Sequence, residues 1–177
     1  ASAVEAHLKT LAMNNASLAI TVGDDPGDEV TVLLSANPGS PLLPLTKVAS
    51  GGELDRAMLA LRLVLTQAPG TLVFDEVDAG IGGTAAVAVA KSLADLGQKH
   101  QVLVVTHLAQ VAAAAQTQIN VAKTVRAKQT FASATVLSGQ DRVDEIARML
   151  SGGVAKDSAI EHARDLLAES GAKKRRG

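Results

Sequence analysis

The stretch TLVFDEVDAGIGG, residues 71–83, decides the class of fold. It begins with a run of apolar residues, which is typical of a strand covered on both faces of a parallel sheet. Asp75 and Glu76 follow this run directly, and a glycine-rich segment then leads into a helix predicted over residues 84–96. A strand that ends in acidic residues and continues into a helix indicates an α/β protein that binds ligands at the carboxyl ends of its strands.

Two further motifs flank this stretch. SGGEL, residues 50–54, begins a buried helix predicted over residues 54–66, and His107 follows a second apolar run over residues 102–105. Strand, helix and strand in this order predict a right-handed crossover in one parallel sheet. We therefore expect Asp75 and His107 at the same edge of that sheet.

Each motif suits one part of nucleoside triphosphate hydrolysis. Asp75 can coordinate Mg²⁺ while Glu76 orients and deprotonates the attacking water. His107 can donate a hydrogen bond to a phosphate oxygen, and Gly51 and Gly52 let an anion approach bare N–H groups at the start of a helix. The phosphate-binding motif Gly-Lys-Ser/Thr does not occur in the sequence, so the chain holds only part of such a site.

Structural roles also explain each motif taken alone. Ser50 and Glu53 have the spacing of a capping box, and for residues 50–53 a cap and a phosphate site are equally good interpretations. Acidic residues often end strands as ordinary turn residues, and residues 78–83 suit a plain loop as well as an interfacial one. Most isolated histidines are structural. The order and spacing of the motifs together favour the functional interpretation.

The composition excludes several classes of protein. Only two of the 177 residues are aromatic, so base stacking is not a major binding mode, and a net charge of −1 leaves no overall basic footprint for nucleic acid. The absence of cysteine excludes disulfides and thiolate zinc sites. No apolar run reaches the ~18–20 residues that span a membrane, and the first residues lack a signal-peptide pattern. We therefore expect a soluble, cytoplasmic protein with no membrane partner.

The sequence predicts three segments. These are a helix within residues 1–13, one domain over residues 14–170, and a basic, flexible tail over residues 171–177. The remaining predicted elements of the domain are a β-hairpin with strands over 17–21 and 29–34, later strands over 120–125 and 130–136, and terminal helices over 142–150 and 156–168.

Together the motifs resemble those in the carboxyl-terminal half of an ABC-type ATPase head. Residues 50–53 resemble the signature motif, residues 72–76 the Walker B strand, the segment from Asp78 onward the D-loop, and residues 106–107 the switch histidine. Within that superfamily the resemblance is to bacterial SMC-like ATPases of DNA double-strand-break repair and recombination. The stretches that carry it are KVASGGEL (47–54), FDEVDAGI (74–81), VTHLAQVA (105–112) and EIARMLSG (145–152).

This resemblance implies a P-loop NTPase-like fold, namely the carboxyl-terminal lobe of an ABC ATPase head. The lobe would be α/β, with a mostly parallel sheet flanked by helices and an N-terminal β-hairpin. The implied cofactors are ATP and Mg²⁺, and the implied roles are catalytic for Glu76 and His107, metal-binding for Asp75, and nucleotide-binding for Ser50, Gly51, Gly52, Glu53 and Asp78.

The resemblance also implies partners. The amino-terminal half of the same head would supply the Walker A lysine, two heads would form a homodimer around ATP, and the full-length protein would bind DNA on the nucleoid after damage. Residues 1–13 would be the stub of a coiled coil, and the isolated chain would be inactive. Two residues depart from the family pattern: Asp55 stands where serine is usual and Ala109 where proline is usual.

Two other interpretations remain open at this point. One is the head lobe of another SMC or ABC ATPase, used in chromosome organisation or transport. The other is a non-catalytic dimerisation module that uses the same fold.

Overall fold

The computed structural model describes residues 1–25, 29–48, 51–65, 70–126, 129–153 and 157–173. The chain forms two compact units, Ala1–Thr106 and His107–Gly177. The domain boundaries expected from the sequence, after residues 13 and 170, stay predictions. None of the helices in the described ranges has the length and apolar character needed to cross a membrane.

The first unit begins with a helix and an antiparallel sheet. The elements are α1 (Ser2–Thr10), β1 (Ser17–Val22), β2 (Val30–Ser35) and β3 (Leu43–Pro44), with strand order β1-β2-β3. Strand β1 pairs with β2 from Ser17↔Ser35 to Val22↔Val30, which confirms the predicted hairpin. Residues 26–28 of its predicted turn lie outside the described residues. The short β3 is not among the strands predicted from the sequence.

The second half of this unit is the predicted strand–helix–strand arrangement. Its elements are α2 (Gly51–Val64), β4 (Thr71–Asp75), α3 (Gly83–Leu96) and β5 (Gln101–Val105). Strands β4 and β5 are parallel, with Thr71 opposite Gln101 and Asp75 opposite Val105. This confirms the α/β class. Within the described ranges β4–β5 is the parallel sheet, and the other strand pairs are antiparallel.

The expectation that β4 is covered on both faces is wrong for this chain. Leu72 and Phe74 are buried, whereas Val73, between them, is 66% exposed. Side chains alternate between the two faces of a strand, and on β5 Leu103 and Val105 are 49% and 59% exposed. One face of the β4–β5 sheet is therefore packed and the other is open to solvent.

The second unit contains the remaining helices and a hairpin. Its elements are α4 (Ala109–Ala114), β6 (Gln118–Arg126), β7 (Gln129–Leu137), α5 (Gly139–Ser151) and α6 (Asp157–Lys173). Strands β6 and β7 are antiparallel, and the later strands and terminal helices predicted from the sequence are confirmed. Helix α6 continues to Lys173, so the first three residues of the predicted tail are helical and residues 174–177 lie outside the described residues.

The three helices of this unit share a small core. Ile146 of α5 is fully buried, and alanines fill the space around it because their short side chains let the helices approach closely. Gly152 ends α5 in the left-handed conformation, with φ of 65°, as glycine does most readily. The buried members of the core are Ala109, Ala112, Ala113, Ile146, Ala147 and Ala163.

Candidate functional site

The acid pair lies at the carboxyl end of β4. Asp75 is the last residue of the strand, and Glu76 follows it with φ of 56°, in the left-handed region that non-glycine residues rarely adopt. Such a conformation costs about 1–3 kcal/mol and often occurs at functional sites. The backbone N–H of Ala79 donates to the carbonyl of Glu76 at 2.8 Å and closes a turn there. Both carboxylates are exposed at the strand end, as predicted.

The turn after β4 is also held by Asp78, whose side chain is fully buried. Its carboxylate accepts a hydrogen bond from the hydroxyl of Thr106, which follows β5 directly. The backbone carbonyl of Asp78 accepts a hydrogen bond from the backbone N–H of Ile81 at 3.3 Å. Asp78 therefore joins the end of β4 to the end of β5.

The glycine-rich motif forms the start of α2, which includes Gly51, Gly52 and Glu53. Ser50 lies outside the described residues, so the predicted capping box stays a prediction. Gly52 is buried, but Gly51 is exposed, and a Cβ added to it would meet no atom within 4 Å. Packing against the described residues therefore does not require a glycine at position 51.

Asp55, one of the two departures from the family pattern, lies near the acid pair. Its pKa is raised, first by burial and then by the charge of Asp75, with a further contribution from Glu76. With Met58 and Arg62 it lines a shallow groove of about 270 Å³ between α2 and β4. This residue thus adds negative potential beside the predicted magnesium ligand.

His107 is exposed and begins the second unit. It follows Thr106, the residue bonded to Asp78. Its position beside a phosphate stays a prediction, as does magnesium binding by Asp75. In the ranges that the structure describes, no three His, Asp or Glu side chains are grouped so that they could hold a metal ion.

The sequence reasoning missed Arg56. This side chain is only 6% exposed, and it donates from Nη1 to the carbonyls of Val77 and Ala79. Apolar periodicity could not find it because the residue is charged. The one sequence feature that could have indicated its burial is its spacing. Arg56 lies four residues after Gly52 and therefore on the same face of the helix.

Comparison with known proteins gives the class and the family. No family model matches the chain. Among solved structures, it is similar to the Smc head domain with a coiled coil and joint derived from Pyrococcus yayanosii, with a TM-score of 0.60 at 18% identity over 82% of this chain and 28% of that one. It is also similar to an Smc head domain with an extended coiled coil, bound to the C-terminal domain of ScpA, derived from Pyrococcus furiosus. That TM-score is 0.56 at 18% identity, over 85% of this chain and 36% of that one.

At this level of identity the likeness shows the fold alone. The fold is that of an SMC-type head, which confirms the predicted P-loop NTPase-like lobe.

The sequence relatives are more specific. The chain is 54% identical over 140 residues to the DNA repair protein RecN of Deinococcus radiodurans, which covers 79% of the chain and 25% of the relative. It is 48% identical over 152 residues to the DNA repair protein RecN of Treponema pallidum, a match that covers 85% of the chain and 26% of the relative. It is 45% identical to the DNA repair protein RecN of Streptomyces coelicolor, a match that covers 94% of the chain and 33% of the relative. The chain therefore belongs to the RecN family, and it spans about a quarter to a third of the length of these relatives.

Proposed function

We propose that this chain supplies one half of a composite ATP-hydrolysing head in a RecN-type protein of DNA double-strand-break repair and recombination. The observation that carries the proposal is the exposed acid pair, Asp75 and Glu76, at the carboxyl end of β4. Ligands of α/β proteins bind at this edge of the sheet. Family membership supports the same role, because the curated relatives are named as DNA repair proteins.

The residues of this edge fit magnesium and ATP. Mg²⁺ is usually bound by one or two carboxylates together with substrate phosphates, and Asp75 offers one exposed carboxylate. When bound, the ion would neutralise charge on the phosphate oxygens. Glu76 would orient the attacking water and accept its proton. His107 would donate a hydrogen bond to the terminal phosphate.

The start of α2 would serve the nucleotide of a second head. Gly51 supports this assignment, because the space where a side chain would lie is open and leaves room for a ligand at the start of the helix. Ser50, Gly52 and Glu53 belong to the same proposed contact. Asp78 is bonded to Thr106 in this chain, so its contribution to the nucleotide site would come through the position of its turn.

The amino-terminal half of the head would cover the open sheet. Val73, Leu103 and Val105 expose apolar area on one face of β4–β5, and burying such area stabilises a complex by about 25 cal/mol per Å². That half would also bring the phosphate-binding lysine that this sequence lacks. The finer parts of the proposal are a homodimer of heads around ATP, a coiled coil entering at residues 1–13, DNA binding by the full-length protein, and a place on the nucleoid in the cytoplasm.

The test is Glu76→Gln in the full-length protein. Glutamine keeps the size and hydrogen-bonding capacity of the side chain but cannot accept a proton at neutral pH. Steady-state ATP hydrolysis should fall by about 10²–10⁴-fold, while binding of ATP, measured by equilibrium titration, should be retained. Glu161→Gln, at an exposed position on α6, is the matched control and should hydrolyse ATP like the wild type.

Two results would refute the proposal. One is a full-length wild-type protein that does not hydrolyse ATP. The other is a Glu76→Gln variant that retains full hydrolysis. Dimerisation without any dependence on nucleotide would then favour the non-catalytic module.

A further inference from the structure

Arg56 is a buried cation in the second turn of α2. Its Nη1 donates to the carbonyl of Ala79 at 2.9 Å and to that of Val77 at 3.3 Å. Burial lowers the pKa of this guanidinium, and the nearby carboxylates of Glu53, Asp55 and Asp78 oppose that change. An arginine keeps its charge in proteins, so the turn after β4 receives a charged donor on two of its carbonyls.

This arrangement is costly for stability. The Nε of Arg56 is buried and has no hydrogen-bond partner among the described residues. An unsatisfied buried donor costs about 1–3 kcal/mol, and more when the group is charged. An apolar side chain would avoid that cost but would leave the carbonyls of Val77 and Ala79 without this donor, so the arginine holds the turn as well as filling the space.

Gly52 brings the start of α2 against the same turn. It lies one helical turn before Arg56, on the same face. A Cβ added to Gly52 would lie 2.9 Å from the Cβ of Ala79 and 3.2 Å from its carbonyl oxygen. Backbone atoms cannot move aside as a flexible side chain does, so glycine is required for this approach. The helix start and the turn are therefore in direct contact at two successive turns of α2.

The turn is also held by a hydrogen bond from Thr106. Arg56 binds the carbonyls of residues 77 and 79, and Thr106 donates to the carboxylate of the residue between them, Asp78. One connected set of hydrogen bonds thus links the start of α2, the turn after β4 and the end of β5. Glu76, with its left-handed backbone, begins this turn.

We propose that Arg56 is a positioning residue that fixes the start of α2 against the turn after β4 and thereby holds Glu76 in its working orientation. The inference rests on the proposed function. Arg56 is assigned no contact with the reacting atoms, because its Nη1 is bonded to the main-chain carbonyls of the turn. Its effect would therefore fall mainly on the rate of the chemical step, and the affinity of the head's own ATP site, to which the start of α2 is not assigned, would be unchanged.

The test compares Arg56→Met and Arg56→Lys in the full-length protein by steady-state ATPase kinetics. Methionine keeps much of the volume but removes the donors, and a small displacement of a catalytic group can cost about 10–100-fold in rate. Arg56→Met should lower kcat by that factor and leave the KM for ATP within about twofold. Arg56→Lys keeps a charged donor and should recover part of kcat. Arg164→Met, at an exposed arginine on α6, is the control and should match the wild type.

A second readout does not depend on hydrolysis. The amide N–H of Ala79 is bonded to the carbonyl of Glu76, so its hydrogen exchange reports whether the turn is held. Exchange at this amide should become faster in Arg56→Met and should change less in Arg56→Lys. If Arg56→Met does not fold, Arg56→Lys carries the test through a reduced kcat with unchanged KM.

The outcomes separate this inference from the proposed function. A wild-type protein without ATPase activity refutes the proposed function, whereas the exchange rate of Ala79 still tests Arg56. Wild-type kcat in Arg56→Met, or unchanged exchange at Ala79, would overturn the inference. An equal loss of kcat in Arg56→Met and in the control Arg164→Met would also overturn it. So would a loss of kcat in Arg56→Met that is explained by global unfolding, if Arg56→Lys recovers no kcat.

Discussion

The helical cluster formed by α4, α5 and α6 buries its aliphatic side chains, whereas the β4–β5 sheet leaves many of its own in water. Ile146 in the cluster is fully buried, and Val73 in the sheet is 66% exposed. The β6–β7 hairpin resembles the sheet, since its Val121 and Val125 are 68% and 72% exposed. The helices of the second unit are thus packed by residues of the chain itself, while the strands expose surface that suits a further structural layer.

This difference locates the surface that the proposed partner, the amino-terminal half of the head, would cover. The exposed sheet is the element that ends in Asp75, the proposed magnesium ligand. An exposed aliphatic face beside the proposed catalytic edge is expected if the rest of the head covers that face. The helical cluster is packed by its own residues and needs no such cover. Changes in the cluster should therefore affect the stability of the chain, whereas changes on the sheet face should affect assembly with the other half of the head.

The largest effect is expected on the stability of the helical cluster. Ile146→Ala should lower the free energy of unfolding by about 2–5 kcal/mol, because it leaves a cavity at a fully buried position. Val73→Ala should lower it by less than about 1 kcal/mol, because most of that side chain is already in water. Urea unfolding of both variants measures the difference. Equal losses would show that the sheet face is covered within the chain.

A smaller effect is expected on assembly when the sheet face is made polar. Val73→Thr combined with Val105→Thr keeps two β-branched residues and so preserves strand propensity. Affinity for the amino-terminal half should weaken by about tenfold or more, since an unpaired buried hydroxyl costs about 1–3 kcal/mol. Titration calorimetry measures this affinity. Val87→Thr, at a half-exposed position on α3, is the control, and a similar loss there would contradict a specific role for the sheet face.

The smallest expected effect is a pH dependence of the folding stability of the second unit. The hydrogen bonds from Arg148 hold the pKa of Glu145 below its ordinary value, more strongly than burial raises it, and Asn120 adds a further bond. A lowered pKa means that this stabilisation is present above the unfolded pKa and is lost as the pH falls through the folded pKa. Because Arg148 is 54% exposed, the pair contributes below about 1 kcal/mol.

Unfolding of the wild type and of Glu145→Gln at a series of pH values measures this contribution. Their difference in stability should be largest near neutral pH and should shrink as the pH falls below about 4.5, the ordinary range of a glutamate. A difference that stays constant across that range would contradict the assignment.

The sequence was sufficient where the signal is local. The apolar runs, the turn residues and the helical segments predicted the β1–β2 hairpin, the β4–α3–β5 arrangement and the position of the acid pair at the end of β4. In each case the pattern lies within a few residues of the feature it determines. The order of residues alone therefore places Asp75 and Glu76 at the strand end.

The sequence was insufficient where partners are distant along the chain. The sequence predicted a buried helix over residues 54–66, yet Leu65 is 54% exposed, while the charged Arg56 is only 6% exposed. Arg56 is buried where the carbonyls of the turn after β4 accept its hydrogen bonds. No periodicity of apolar residues can reveal a buried arginine.

The prediction of two covered faces for β4 was wrong for a different reason. An apolar run indicates that surfaces can pack on both faces of a strand, but it does not show whether the chain itself supplies them. The alternation of exposure within the run, with Val73 open between Leu72 and Phe74, depends on which of those surfaces the chain itself supplies.

The central claim is that this chain carries one half of a composite ATPase site. Steady-state ATP hydrolysis, measured for the chain alone and again after addition of the amino-terminal half of the head, tests it most directly. The account predicts no hydrolysis above background by the chain alone, and hydrolysis that depends on Glu76 once the other half is present. Substantial hydrolysis by the chain alone, lost in Glu76→Gln, would contradict it.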